Sequence, residues 1–139
     1  MKLVSDYINF STKGNTDILD ITEEVVSRLK KAKLKDGIVN ISVLGSTSAI
    51  TTCEYEPALI NDLKKTFEDL IPKHKGYDHD ATWQDGNAHS HLRALIVGSN
   101  LAVSFVDGQL YLGTWQQIIF IDFDNRARRR KVLLQFIGE

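Results

Sequence analysis

Hydrophobic and polar residues alternate at the start of the chain and then change to helical spacing. Residues 3–12 alternate and are rich in β-favouring side chains, which predicts a strand. Between residues 20 and 35 the apolar residues recur three or four positions apart, with acidic residues at the beginning and lysines at the end. This order matches the helix dipole and predicts a helix that Asp36-Gly37 closes.

Later segments predict one further helix and a series of strands. Pro57 can occupy the first turn of the second helix, whose apolar stripe runs up to Pro72 through Leu59, Ile60, Leu63, Phe67 and Leu70. The other apolar runs are short and bounded by turn formers, which predicts strands at residues 38–44, 49–55, 89–97, 101–106, 109–112, 118–123 and 131–137. We therefore expect a single α+β domain over residues 1–139, with a large, mostly antiparallel β-sheet system and two helices packed to one side.

Composition narrows the class of protein. Hydrophobic residues make up 42% and charged residues 25% of the 139 positions, which is typical of a soluble globular domain. The net charge of −1 argues against a nucleic-acid partner. No run of about 18 apolar residues is present, so no membrane span is expected. The single cysteine, Cys53, cannot form an intrachain disulfide, and this favours a reducing, cytoplasmic location.

All four histidines lie in one eighteen-residue window, residues 74–91, which is rich in turn formers and aspartates. On a strand, His89 and His91 emerge on the same face about 7 Å apart. With His79, Asp78 or Asp80 from the adjoining loop, they can supply three ligands for a divalent metal, zinc or magnesium, with an open position for phosphate or water. Surface histidines that hydrogen-bond to nearby aspartates are the alternative, and His74, between two lysines, is expected to be one of these.

Two further segments offer groups that bind phosphate. The turn beginning at Gly45 presents backbone N–H groups and the hydroxyls of Ser46, Thr47 and Ser48, although it also fits an ordinary tight turn. The only dense basic cluster includes Arg128, Arg129 and Arg130, whose guanidinium groups suit phosphate oxygens. A solvated hairpin end in which arginines pair with Asp122 and Asp124 is the alternative.

Two glutamates flank Tyr55 at the end of a predicted strand. Glu54 and Glu56 can bind a metal or act as a general base, and Glu56, just before Pro57, can instead cap the second helix. The tryptophans Trp83 and Trp115 can stack on a heteroaromatic ring, although core packing is the commoner use of tryptophan.

Several of these motifs together resemble the YjbQ-like family. The resemblance covers residues 2–139 and rests on Gly45-Ser-Thr-Ser-Ala-Ile-Thr-Thr52, Glu54-Tyr-Glu-Pro57, Asn87-Ala-His-Ser-His91, Gly98-Ser, Leu112-Gly-Thr-Trp-Gln-Gln117, Arg128-Arg-Arg and Gly138-Glu. Members are often described as secondary thiamine-phosphate synthases. The resemblance implies a compact α+β homotrimer, with sites near subunit boundaries, that joins a pyrimidine pyrophosphate to a thiazole phosphate.

The resemblance also implies roles for individual residues. His79 and His91 match family histidines, Asn87 falls where members carry Asn or Asp, and Trp115 and Gln116 are the family pair. Many bacterial members carry a histidine where this chain has Ser46, so His89 is the candidate replacement if that histidine binds a metal.

The resulting hypothesis is a transferase without an organic cofactor. Its catalytic residues are His79, His91 and Glu54, and a divalent cation and the arginines offset the charge of the pyrophosphate. The second hypothesis is a trimeric protein that binds a metal or a phosphorylated heteroaromatic ligand and whose synthase activity is incidental. The third is a purely structural trimer, which leaves the histidine cluster unexplained.

Overall fold

The computed structural model describes all 139 residues and contains eight strands and four helices. In chain order the elements are β1 Lys2–Thr12, β2 Asp17–Asp20, α1 Thr22–Ala32, β3 Gly37–Val43, β4 Ser48–Cys53, α2 Pro57–Leu70, α3 Asp78–Trp83, α4 Ala88–Val97, β5 Asn100–Val106, β6 Gln109–Leu110, β7 Gln117–Asp122 and β8 Arg128–Gly138. None of the helices combines the length and the apolar character needed to cross a lipid bilayer.

The strands form two antiparallel sheets. The larger sheet has the order β1-β8-β3-β5-β6, and the smaller has the order β2-β7-β4. Every neighbouring pair is antiparallel, so the predicted α+β architecture with a large antiparallel sheet system is confirmed.

The smaller sheet separates two hydrophobic cores because successive side chains of a strand point to opposite faces. On β7, Ile118 and Phe120 join the main core, which also includes residues of the larger sheet and α1. Ile119 and Ile121 face the other way and join a smaller core with Ala94 of α4. The apolar stripe predicted for α2 borders this smaller core but is only half-buried, and Leu70 is 71% exposed.

The first two helices begin where the sequence predicts. At α1, Asp20 Oδ1 accepts hydrogen bonds from the Thr22 amide (3.0 Å) and the Thr22 hydroxyl (2.6 Å). At α2, the Glu56 carboxylate accepts from the Ala58 and Leu59 amides at 2.5 and 3.2 Å, so Glu56 is the helix cap.

The strand predicted for residues 89–97 is wrong. These residues lie in α4, and part of the preceding histidine window forms the short helix α3. His89, Ser90, Arg93 and Ala94 are the buried residues within the segment, and their spacing of three to four matches one face of a helix. His89 and His91 therefore do not share the face that a strand would give them.

Candidate functional site

The turn between β3 and β4 is anchored by its central threonine. Thr47 is buried, and its hydroxyl donates to Asp124 Oδ2 at 3.1 Å and accepts from Arg130 Nη2 at 2.8 Å. The Phe123 amide also donates to the Thr47 carbonyl at 2.9 Å. Thr47 is thus used to hold the turn in place, which leaves Ser46 and Ser48 to contact a ligand.

Two buried carboxylates at the end of β7 hold the basic residues at the beginning of β8. Asp122 accepts from Arg130 Nε and Nη2 at 2.7 and 2.8 Å, and Asp124 accepts from Arg128 Nε at 2.8 Å. The Asp122 contacts raise the pKa of Arg130. Burial alone would raise the pKa of Asp124, but hydrogen bonds from the Asn125 amide, Arg128 and Thr47 outweigh it and lower that pKa.

These ion pairs change the role expected for the arginine cluster. Arg128 and Arg130 are paired with carboxylates, as in the alternative drawn from the sequence, whereas Arg129 is exposed and forms no ion pair. Both terminal nitrogens of Arg130 lie at the turn, since Nη2 donates to the Thr47 hydroxyl and Nη1 is 2.9 Å from the position of a Cβ placed on Gly45. The cluster therefore positions the turn more than it presents free charge.

A cleft of about 360 Å³ opens between this turn and α4. Ser48, which is 1% exposed, lies in its wall, and the Ser48 hydroxyl has no hydrogen-bond partner. A buried hydroxyl without a partner is costly unless a ligand or water satisfies it. We call this the Ser48 cleft, and it is lined by Gly45, Ser46, Ser48, His91, Ala94, Leu95, Gly98 and Ser99.

His91 also lines a second depression of about 320 Å³, which it shares with His79. The two imidazole rings pack edge to face with centroids 4.9 Å apart. His79 Nε2 lies 3.1 Å from Asn87 Oδ1 and 3.8 Å from an Asp85 carboxylate oxygen. The structure therefore brings together His79, His91 and Asn87, three of the residues singled out in the sequence.

His89 is not part of this histidine pair. It is buried and lines a different cavity with Arg93 and Glu68. No group of three or more His, Cys, Asp or Glu side chains converges on a possible metal position. The ligand set His79, His89 and His91 does not form in the chain, because α4 directs His89 and His91 to different cavities.

Three other candidates lie away from the cleft. Ser48 and Cys53 are the two ends of β4, where they pair with Asp122 and Gln117 respectively. At the spacing of a strand, the Cα atoms of Ser48 and Cys53 are about 17 Å apart. Glu54 follows Cys53 at the far end and is exposed. Gln116 donates to the Thr52 hydroxyl at that end, and Trp115 beside it is 72% exposed. Within a single chain, Glu54, Trp115 and Gln116 are therefore distant from the Ser48 cleft.

Sequence reasoning did not single out Leu95 and Ser99, which also line the cleft. In the sequence, Gly98-Ser stands only as a motif after a predicted strand, whereas the spacing of a helix over these residues would place Leu95 and Ser99 on the same face as His91. The glycine ends α4, and its carbonyl accepts from the Ile50 amide at 3.0 Å. This bond ties the end of α4 to β4 beside the cleft.

The fold and the cleft define an α+β protein with two antiparallel sheets and a serine- and histidine-lined cleft between a turn and a helix. A family model described as "UPF0047 protein YjbQ-like" matches residues 6–139. A UPF0047 protein of Methanothermobacter thermautotrophicus is 35% identical over 130 residues, which cover 94% of this chain and 90% of that protein. The UPF0047 protein YugU of Bacillus subtilis is 29% identical over 94% of this chain and 97% of its own length.

Solved structures share the whole fold. A crystal structure of a Sulfolobus solfataricus protein, described as YbjQ-like and of unknown function, has a TM-score of 0.94 at 31% identity and covers 99% of each chain. An uncharacterised Clostridium acetobutylicum protein has a TM-score of 0.84 at 32% identity, covering 94% of this chain and 99% of its own. The chain belongs to the YjbQ-like UPF0047 family.

Proposed function

We propose that the Ser48 cleft binds the pyrophosphate of a phosphorylated heteroaromatic substrate and that the chain is a transferase of the thiamine-phosphate synthase type. The observation that carries the proposal is the buried, unpartnered Ser48 hydroxyl in a cleft that His91 also lines. A phosphate oxygen accepts the hydrogen bond that this hydroxyl lacks.

The cleft offers further donors for an anion. Ser46 and Ser99 add hydroxyls, and Arg130 Nη1 lies against Gly45, where it offers N–H donors although Asp122 and Asp124 offset its charge. The ion pairs of Arg130 with Asp122 hold this nitrogen in position before a ligand arrives. Preorganised donors of this kind stabilise charge without reorganisation during the reaction.

The chemistry requires stabilisation of a leaving group. The bond between the pyrimidine methylene carbon and the pyrophosphate oxygen breaks, and its electron pair stays on the pyrophosphate. The thiazole nitrogen then donates its lone pair to the methylene carbon. In this proposal Ser46, Ser48 and His91 donate hydrogen bonds to the departing pyrophosphate. His79 packs against His91 and orients its ring.

No step is routed through a metal ion, since the predicted three-histidine ligand set does not form in the chain. The second candidate function is a binding protein for a phosphorylated ligand without turnover. The distance of Glu54 from the cleft favours it, because the chain then lacks the carboxylate base expected from the sequence. A cytoplasmic location, suggested by the single cysteine, is part of the same proposal.

Calorimetric titration with inorganic pyrophosphate and an assay for thiamine phosphate test the proposal. We expect Ser48→Ala and His91→Ala each to weaken pyrophosphate binding about tenfold, the equivalent of one charge-assisted hydrogen bond, and to slow turnover. Ser104→Ala and His74→Ala change an exposed serine and an exposed histidine outside the cleft and serve as matched controls.

Binding that depends on Ser48 and His91 without any turnover would select the binding protein. Turnover and binding that are unchanged in both cleft variants would overturn the site assignment.

We also propose that copies of the chain associate as a homotrimer with the cleft near a subunit boundary. The family resemblance implies this assembly, and the outer face of α4 supports it. Leu92, Leu95 and Ile96 are all exposed there, beside the two depressions that His91 lines. Such an arrangement would allow Trp115 and Gln116 of one copy to reach the cleft of another.

A further inference from the structure

A second polar cavity lies on the other side of α4 from the Ser48 cleft. It has a volume of about 290 Å³, contains no hydrophobic lining residue and shares no residue with the Ser48 cleft. We call it the His89 cavity, and it is lined by Asn15, Thr16, Lys64, Glu68, Lys73, His89 and Arg93.

The His89 cavity carries a net positive charge. Lys64, Lys73 and Arg93 contribute three cations, and only Glu68 opposes them. Glu68 pairs with Arg93 at 2.8 Å, whereas neither lysine forms an ion pair. Arg93 is buried and is fixed by the Ile71 carbonyl at 2.7 and 3.0 Å. Lys73 Nζ donates a long hydrogen bond of 3.4 Å to Asn15 Oδ1, and the remaining N–H donors of the two lysines can receive an anion.

His89 forms the buried wall of this cavity and has one nitrogen without a partner. The side chain is 1% exposed, and nothing hydrogen-bonds to Nδ1. Its Nε2 lies 3.4 Å from the Ser90 hydroxyl, which donates its own hydrogen to the Phe123 carbonyl. The Nε2 contact therefore needs a hydrogen on Nε2, and in the neutral ring this leaves Nδ1 as an acceptor.

The neutral ring is the favoured form of His89. Burial lowers its pKa, and the positive charges of Arg93 and Lys73 lower it further, while Asp80 and Glu68 oppose the shift. At neutral pH the cavity thus combines two ammonium groups that have no carboxylate partner with an imidazole nitrogen that needs a donor.

Backbone conformation marks the same cavity. Asn15 and Thr16 have φ values of 55° and 60°, a left-handed conformation that is rare for a β-branched residue such as threonine. The Asn15 amide donates to the Asp124 carbonyl at 2.6 Å, and the Thr16 hydroxyl accepts from Arg93 at 3.3 Å. Residues in such conformations are concentrated at ligand sites. Here both side chains line the cavity.

We propose that the His89 cavity is a binding site for inorganic hydrogen phosphate. Lys64 and Lys73 contact two of its charged oxygens, and its P–OH group donates a hydrogen bond to His89 Nδ1. This ligand meets both needs of the cavity, since it brings negative charge and one hydrogen-bond donor. Sulfate has the same charge but no donor at neutral pH, so it leaves Nδ1 unsatisfied.

NMR spectra of the histidine ring signals, recorded during titration with inorganic phosphate at pH 7.5, report binding at His89 directly. We expect the His89 ring signals to shift on addition of phosphate, and we expect sulfate to bind about tenfold more weakly, because a buried acceptor stays unpaired. The histidine at the Ser48 cleft is His91, so the two sites report through different signals.

A charge-matched pair of double variants tests the lysines. We expect Lys64→Ala/Lys73→Ala to weaken phosphate binding at His89 at least about tenfold. Lys65→Ala/Lys75→Ala removes the same charge from exposed neighbours that do not line the cavity and should leave binding unchanged.

An unshifted His89 signal, equal binding of sulfate and phosphate, or equal losses in the two double variants would each overturn the proposal. Loss of pyrophosphate binding in Ser48→Ala with an intact His89 response would leave it standing, because the two sites fail independently.

Discussion

Asp122 and Asp124 determine what the neighbouring arginines can do. Both carboxylates are buried, and each accepts hydrogen bonds from a different arginine of β8. Thr12 and Thr47, which are far away in sequence, also donate hydrogen bonds to them. The basic segment is therefore a structural element that holds the turn at Ser48, and removing one member of a buried pair is costly because it strands the other charge.

The lowered pKa of Asp124 predicts how stability responds to acid. A carboxylate whose pKa is lowered by folding stabilises the protein fully above its unfolded value of about 3.9, and this contribution is lost as the pH falls through the folded value. We expect Asp124→Asn to reduce the free energy of unfolding at pH 7 by about 1–3 kcal/mol and to flatten its decline below about pH 4.

Urea unfolding between pH 2 and 7 measures both effects. Asp62→Asn is the control, because Asp62 is exposed on α2 and forms no ion pair or hydrogen bond. An Asp124→Asn variant with the same acid dependence as the wild type would show that the Asp124 contacts do not stabilise the fold.

Some of the site was predictable at the residue level. The hydroxyl turn and the pair His79 and His91 were singled out from residue type and position, and the structure places Ser48 and His91 in one cleft. The sequence does not decide whether the arginines bind a phosphate or pair with Asp122 and Asp124. Burial of these carboxylates depends on contacts between distant segments, which the sequence pattern does not show. The separation of Glu54 from the cleft likewise depends on which end of β4 each residue occupies.

Among the elements, α4 shows where periodicity fails. Its second half is a short apolar run that suits a strand as well as a helix, and short runs cannot be distinguished by periodicity alone. Tertiary packing decides in favour of a helix, because Ala94 packs against the smaller sheet while His91 and Arg93 face different cavities. Most of the antiparallel strands, by contrast, are predicted from short apolar runs and turn residues, although the four-residue strand β2 is not.

The beginning of α2 gives a prediction at the element level. Glu56 satisfies the amides of Ala58 and Leu59, which have no partner within the helix. We expect Glu56→Ala to lower the free energy of unfolding by about 1 kcal/mol, the usual cost of losing a helix cap. Glu54→Ala removes the same charge two residues earlier, where no cap contact exists, and should cost less. Thermal unfolding of both variants measures the difference, and equal losses would contradict the capping role.

At the level of the whole molecule, the fold places the two proposed sites on opposite sides of α4. The Ser48 cleft and the His89 cavity use different faces of α4, so a change in the helix orientation would alter both. The outer face of α4 lies between them and is apolar, which is unusual for a surface that stays in water.

This outer face predicts self-association that depends on α4. Ile96 is 67% exposed, lines neither cavity and would be covered at a subunit boundary. We expect the wild type to sediment at three times the 15.7 kDa mass of the chain, and Ile96→Glu to shift the equilibrium towards smaller species, because association would bury an unpaired carboxylate. Leu70→Glu is the control, since Leu70 is similarly exposed but belongs to α2 and not to the apolar patch of Leu92, Leu95 and Ile96. A monomeric wild type would overturn the proposed trimer, and a trimer insensitive to Ile96→Glu would place the boundary on another surface.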